Sequence, residues 1–197
     1  MNGLMMNMPL TITSIMDFAD KVHGQQEIVS VTADTPRHRY TFSDAFKRVR
    51  KLANALDKLG AKQGDCIATL AWNDYRHIEL YYAISCSGMI CHTVNPRLFE
   101  EQLEYIINHA DDQWVFIDLM FVPLLEKLQD KLPAVKGFVV LTDEAHMPET
   151  PLRNVHCYET LIAPEPETFD FPELDENLAC ALCYTSGTTG NPKGVLY

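Results

Sequence analysis

Basic side chains are scarce in this chain: 16 Lys and Arg stand against 27 Asp and Glu, a net charge of −11 over 197 residues. A nucleic-acid-binding surface needs a basic stripe, so that class is set aside. Phosphates of a small nucleotide need only local positive charge, and the acidity itself reads as solubility. No stretch approaches the roughly 20 apolar residues of a membrane span. Met1-Asn2-Gly3-Leu4-Met5-Met6 has neither a basic start nor a long apolar run, so no signal peptide is expected. Six scattered cysteines without such a signal fit a reducing, cytoplasmic location.

Ligand spacing for zinc is also missing. The seven histidines form no recognisable set. One CxxC occurs, Cys180-Ala181-Leu182-Cys183, inside an apolar run that reads as a strand. Residues three apart on a strand face opposite sides, and no second pair completes four ligands, so core packing is the reading. His92 after Cys91 is read the same way, as a core or sheet-face residue.

What the chain does have is an apolar fraction of 47%, enough for a core, and short β-type runs alternating with helical patterns. Glu27 to Val31 and Arg39 to Thr41 read as a hairpin. From Ser43, read as the N-cap, apolar positions follow helical spacing to a stop at Gly60. Lys47, Arg48, Arg50 and Lys51 on that helix read as a solvated face. Strand Ile67 to Trp72, a helix Tyr75 to Ser87 capped by Asn73-Asp74, and strand Ile90 to Val94 follow. A helix opened by Asn95-Pro96 and running to about His109 comes next. Trp114 to Ile117, a helix Phe121 to Leu132 and Phe138 to Leu141 complete the pattern. Successive β-α-β units imply an α/β fold with a parallel sheet. Trp72, Tyr75, Tyr81 and Tyr82 read as core rather than as the wall of an acyl tunnel.

The organisation expected is an N-terminal α/β subdomain at 1–142, a Pro- and acid-rich connection at 143–177, and the truncated start of a second subdomain at 178–197. Proline-rich surface covering a single domain fits residues 143–177 equally well.

The last fourteen residues carry the most chemistry. Tyr184-Thr185-Ser186-Gly187-Thr188-Thr189-Gly190-Asn191-Pro192-Lys193-Gly194 brings four hydroxyls, three glycines and one lysine into a loop that leaves an apolar strand. Glycine allows positive φ and close backbone approach to anionic oxygens, hydroxyls donate, and Lys193 adds charge. The spacing differs from a Walker loop, and Val195-Leu196-Tyr197 starts like a strand, so the loop is expected to join two strands.

This loop resembles the signature phosphate loop of the adenylate-forming superfamily of acyl-CoA synthetases, luciferases and adenylation domains. Arg39-Tyr40-Thr41-Phe42-Ser43-Asp44-Ala45 is similar to that family's N-terminal element. Asn95-Pro96-Arg97-Leu98, with Gln102-Leu103, Tyr105-Ile106 and His109, resembles fatty-acyl-CoA ligases. Ala71-Trp72-Asn73, Tyr75-Arg76-His77, Glu79 and Tyr81 resemble their bacterial medium- and long-chain members. The resemblance implies an AMP-forming fatty-acid–CoA ligase that uses ATP, Mg²⁺ and coenzyme A through an acyl-adenylate.

It further implies that Ser186, Thr188 and Thr189 contact phosphate oxygens, Gly187 and Gly190 give close backbone approach, and Lys193 balances charge. Thr185 lies near the phosphates and the metal. Arg97 is read as half of a surface ion pair in preference to a residue orienting neighbouring subdomains. Similar enzymes continue well past the equivalent of Tyr197, through the ribose-gripping aspartate and a C-terminal catalytic lysine, so this chain alone is expected to be inactive. A homodimer is left open. The rival readings are a ligase for aryl, amino or short sulfur-containing acids, and a non-catalytic binding or assembly module.

Overall fold

A computed structural model of the chain describes residue 1, residues 3–185 and residues 190–197. Helix α1 (Ile12–His23) is followed by a two-stranded antiparallel ribbon of β1 (Glu27–Ser30) and β2 (His38–Thr41), and by α2 (Phe42–Lys58). Next come β3 (Cys66–Leu70), α3 (Tyr75–Cys86), β4 (Ile90–Thr93), α4 (Glu100–His109), β5 (Asp112–Ile117) and α5 (Val122–Leu128). Then β6 (Gly137–Val140), β7 (Val155–Cys157), α6 (Tyr158–Ile162), β8 (Ala181–Thr185) and β9 (Lys193–Leu196) complete the described elements. No described helix is long and apolar enough to cross a membrane.

Seven strands form one sheet in the order β7-β6-β5-β3-β4-β8-β9, parallel except for the antiparallel β8–β9 pair. Alternate residues of each inner strand serve opposite faces. Ile67, Phe116 and Val139 pack with Phe46, Leu52, Leu80 and Ile84 of α2 and α3. Ala68, Val115 and Phe138 pack with Leu103, Ile106 and Leu125 of α4 and α5. This two-faced burial is why the strands read as continuous apolar runs. The strands on either side of residues 142 and 177 belong to this one sheet: β7 lies beside β6, and β8 beside β4.

Several local expectations are corrected. The N-cap of α2 is Thr41, not Ser43: Asp44 N donates to Thr41 Oγ1 and Thr41 N to Asp44 Oδ2, both at 3.2 Å. That capping box needs an acceptor three residues on, which Thr41 has in Asp44, while Ser43 donates to Asp20 instead. Asn95-Pro96 does not open α4. Asn95 Oδ1 accepts from Arg97 N at 3.0 Å, a tight turn that delays the helix to Glu100. The expected long helix after Phe121 is α5 alone, between 3₁₀ turns at Leu119–Phe121 and Gln129–Lys131. Helix α1 went unread, although Thr11 caps it.

The basic cluster on α2 is the largest correction. Arg48 does not point to solvent. Its Nε donates to Glu79 Oε1 at 2.7 Å and its Nη2 to Glu159 Oε1 at 3.0 Å. Tyr158 Oη donates to Glu79 Oε2 at 2.6 Å, and the Glu79 side chain is wholly buried. Arg76 donates to Glu159 at 2.8 Å and pairs with Asp34 at 3.0 Å. Burial pushes the Glu79 carboxyl up, against Arg48 and the Tyr158 hydrogen bond. For Glu159 burial acts the same way, but Arg48 and Arg76 outweigh it and lower the carboxyl. The network ties α2, α3, α6 and the β1–β2 connection to one another.

A buried carboxylate without its partner is costly, so Arg48→Ala is expected to lower the unfolding free energy by about 3–5 kcal/mol in urea titrations. The loss should shrink when Glu79→Gln is also present. A loss under about 1 kcal/mol would show that water, not Arg48, satisfies Glu79.

Candidate functional site

Strands β8 and β9 are the two limbs of the glycine-rich loop. Leu182 pairs with Leu196, Cys183 with Val195, Tyr184 with Gly194 and Thr185 with Lys193. Thr185 and Lys193 therefore form the last rung before the loop, and the loop joins two strands as expected. Thr185 Oγ1 lies 3.5 Å from the Lys193 carbonyl oxygen and the residue is exposed. Lys193 is exposed too, and among the described residues it forms no ion pair. Gly190 takes φ +127°, a conformation that side chains rarely adopt, with open space where a Cβ would stand. Ser186, Gly187, Thr188 and Thr189 lie outside the described residues.

The loop leaves the carboxyl end of β8, and β8 runs parallel to β4. In open α/β sheets that end is where ligands bind, at the point where the strand order reverses. Here β4 lies on one side of β3 and β5 on the other, so the reversal falls between β3 and β5. The register sets Thr93 beside Cys183, and Asn95, Pro96 and Arg97 follow β4 at the same carboxyl edge of the sheet. Arg97 is exposed and makes no ion pair among the described residues, which corrects the reading of it as half of a pair.

At the strand-order reversal sits Asp118, nearly fully buried just beyond β5. Its Oδ2 accepts from Trp72 N at 2.6 Å, spanning the ends of β3 and β5. Burial pushes the carboxyl up to about 6, against the Trp72 N–H. Nothing in the sequence marked Asp118, because its partner is a backbone group just past β3, far from it in the chain. His77, at the start of α3, is buried with Nε2 3.0 Å from Thr69 Oγ1. Burial lowers its pKa to about 4, which keeps the ring neutral near pH 7.

Other candidates resolve differently. Trp72 and Tyr81 are 42% and 38% exposed, not core. Tyr81 and Tyr82 line an open apolar groove with Ile12, Ile15, Ile78 and Ala181. That groove meets β8 at Ala181, the opposite end of the strand from Thr185. Cys180 and Cys183 are free and half-buried, with Cys183 Sγ 3.2 Å from Thr93 Oγ1. Among the described residues, Asp34, Asp143 and His146 could gather a cation, but Arg76 already neutralises Asp34.

Residues 18–197 match the protein family described as AMP-binding enzyme. The chain is 48% identical over all its 197 residues to the 3-methylmercaptopropionyl-CoA ligase of Ruegeria lacuscaerulensis. It is 46% identical, again over its whole length, to the medium-chain-fatty-acid–CoA ligase of Ectopseudomonas oleovorans. In both cases it spans only 36% of the relative's length. The crystal structure of an anthranilate CoA ligase in complex with anthranoyl-AMP superposes with a TM-score of 0.86 at 24% identity. That match covers 97% of this chain and 35% of the other, and supports the fold alone.

The Asp118 carboxyl gives a pH test. Its folded-state pKa is raised to about 6 from an ordinary value of 3.8. The folded chain therefore binds its proton more tightly than the unfolded chain does. This contribution to stability is full below pH 4, declines as pH rises, and is lost above about 6. Asp118→Asn keeps the acceptor for Trp72 N without the charge. Urea titrations are expected to favour the variant by about 1–2 kcal/mol more at pH 7.5 than at pH 4. Parallel curves for the two proteins across that range would show that Asp118 is solvated.

Proposed function

The chain belongs to the AMP-binding enzyme family, and from that premise we propose that it is the N-terminal part of an AMP-forming fatty-acyl-CoA ligase. The reaction read here joins a carboxylic acid, ATP and coenzyme A to give acyl-CoA, AMP and pyrophosphate. A carboxylate oxygen attacks the α-phosphorus of ATP, and the bond to the bridging oxygen breaks as pyrophosphate leaves. The thiol of coenzyme A then attacks the acyl carbonyl, AMP leaves, and the thiol proton passes to solvent.

The observation that carries the reading is the hairpin of β8 and β9. It presents Thr185 and Lys193 as facing residues at the carboxyl edge of the sheet, with Gly190 at positive φ between them. Lys193 offsets charge on the leaving pyrophosphate, and the Gly190 backbone approaches the phosphates closely. Ser186, Thr188 and Thr189 donate from their hydroxyls and Gly187 from its N–H. Thr185 offers a hard hydroxyl oxygen, the donor type that Mg²⁺ takes, so the residues present fit that ion. When bound, Mg²⁺ neutralises phosphate charge. The catalytic work of this chain is therefore positioning and charge compensation.

A second reading on the acid is favoured by one observation. The relative at 48% identity is named for a short thioether acid, and the one at 46% for medium-chain fatty acids. A series of acids from 3-methylmercaptopropionate to palmitate separates the two.

The test is ATP–pyrophosphate exchange by the longer protein across that series, with Lys193→Ala beside it. The variant is expected to lose about 10- to 100-fold in kcat/KM for ATP, with the ranking of acids unchanged. Equal losses for ATP and for acid discrimination would count against the role given to Lys193. The 197-residue chain alone is expected to show no exchange, and exchange by it would place the whole adenylation machinery within these residues.

A further inference from the structure

Tyr184 is the residue before Thr185, and its side chain touches three separate parts of the fold. The ring lies 5.1 Å, centroid to centroid, from His92. His92 is wholly buried in β4, with Nδ1 2.6 Å from Asp112 Oδ2, itself wholly buried. The Tyr184 Oη lies 2.6 Å from His109 Nδ1 at the end of α4. Burial pushes the phenol up to about 12, so it keeps its proton, and which of the two groups donates follows the His109 tautomer.

The third contact is with the returning limb of the loop. Tyr184 is the ladder partner of Gly194, which follows Lys193. A Cβ on Gly194 would stand 3.2 Å from Tyr184 Cζ, 3.4 Å from its Oη and 3.1 Å from Leu182 Cδ1. A side chain at 194 would thus press on the phenol end of the ring and on Leu182, which would have to give by a few tenths of an ångström. Gly194 has no positive φ among those recorded, so close approach is what requires glycine there.

We propose that Tyr184, braced by the His92–Asp112 pair and by His109, is a positioning residue that sets where Lys193 stands at the end of the β8–β9 hairpin. The ring is a fixed post. One limb of the loop is its own backbone, and the other limb passes close to its phenol end through Gly194. The residue acts through Lys193 and touches no reacting atom. This rests on the reading of the loop as a phosphate site.

The test uses the longer protein and calorimetric titration with MgATP, which needs no acid substrate. Gly194→Ala and Gly194→Val press on the ring and are expected to weaken MgATP about three- to tenfold, with melting temperature little changed. In a Tyr184→Ala background, already weakened, Gly194→Ala should cost nothing further, a coupling that two independent structural defects would not show. Tyr184→Phe keeps the ring but loses the His109 contact, and should weaken MgATP less than Tyr184→Ala does. The proposal is overturned if both Gly194 variants bind within twofold of the parent, or if Gly194→Ala costs the same in both backgrounds. Absence of MgATP binding by the parent protein would overturn it together with the phosphate-site reading. Intact binding with no pyrophosphate exchange in the longer protein would count against the ligase reading alone.

Discussion

The Glu79 carboxylate has no exposure at all, and among the described residues its hydrogen-bond partners are Arg48 and the Tyr158 hydroxyl. Three helices are held by those contacts. Arg48 comes from α2, Glu79 from α3 and Tyr158 from α6, and Glu159 extends the same set to Arg76 and Asp34. Desolvating five charged groups is tolerable only because each meets an opposite charge, and small shifts of one helix leave another group unpaired. The network therefore fixes geometry more firmly than apolar contact alone. Because α3 begins directly after the end of β3, its placement also fixes Trp72 and the carboxyl edge near Asp118.

This clustering of perturbed groups has the look of a catalytic centre, and the geometry argues otherwise. Glu79 is closed against Arg48, and Asp34 against Arg76. The loop with exposed Thr185 and Lys193 lies at the end of β8, on the other side of β3 and β4 in the sheet order. One region spends its charges on holding helices, and the other leaves its lysine unpaired among the described residues. An anionic ligand is served by the second arrangement.

Much of the fold was legible because its signals are local. Asp74 before Tyr75 reads as a helix cap and is one, accepting from His77 N. Gly60 ends α2 at φ +75°. The apolar runs of β3, β5 and β6 announce strands buried on both faces. What could not be read depends on partners distant in sequence. Arg48 sits in a run of basic residues that looks solvated, and only the arrival of Glu79 and Glu159 turns it inward. Trp72 and Tyr81 look like core residues until the helix packing leaves them uncovered. The order of strands, with β8 placed beside β4 and β5 placed across β3, has no local signature. For the site, residue types and spacing gave the loop and both limbs, whereas the Tyr184–Gly194 contact needed the ladder register.

The antiparallel pairing of β9 with β8 also bears on how the molecule reaches its final shape. The two limbs are neighbours in sequence, so that hairpin closes cheaply. Its attachment to the rest of the sheet is another matter, for Thr93 and Cys183 meet from 90 residues apart. Docking of the hairpin on β4 is thus a high-contact-order step, of the kind that slows folding. A chain that has formed its hairpin but not docked it would already own the loop's sequence and turn, yet would hold it against no sheet edge.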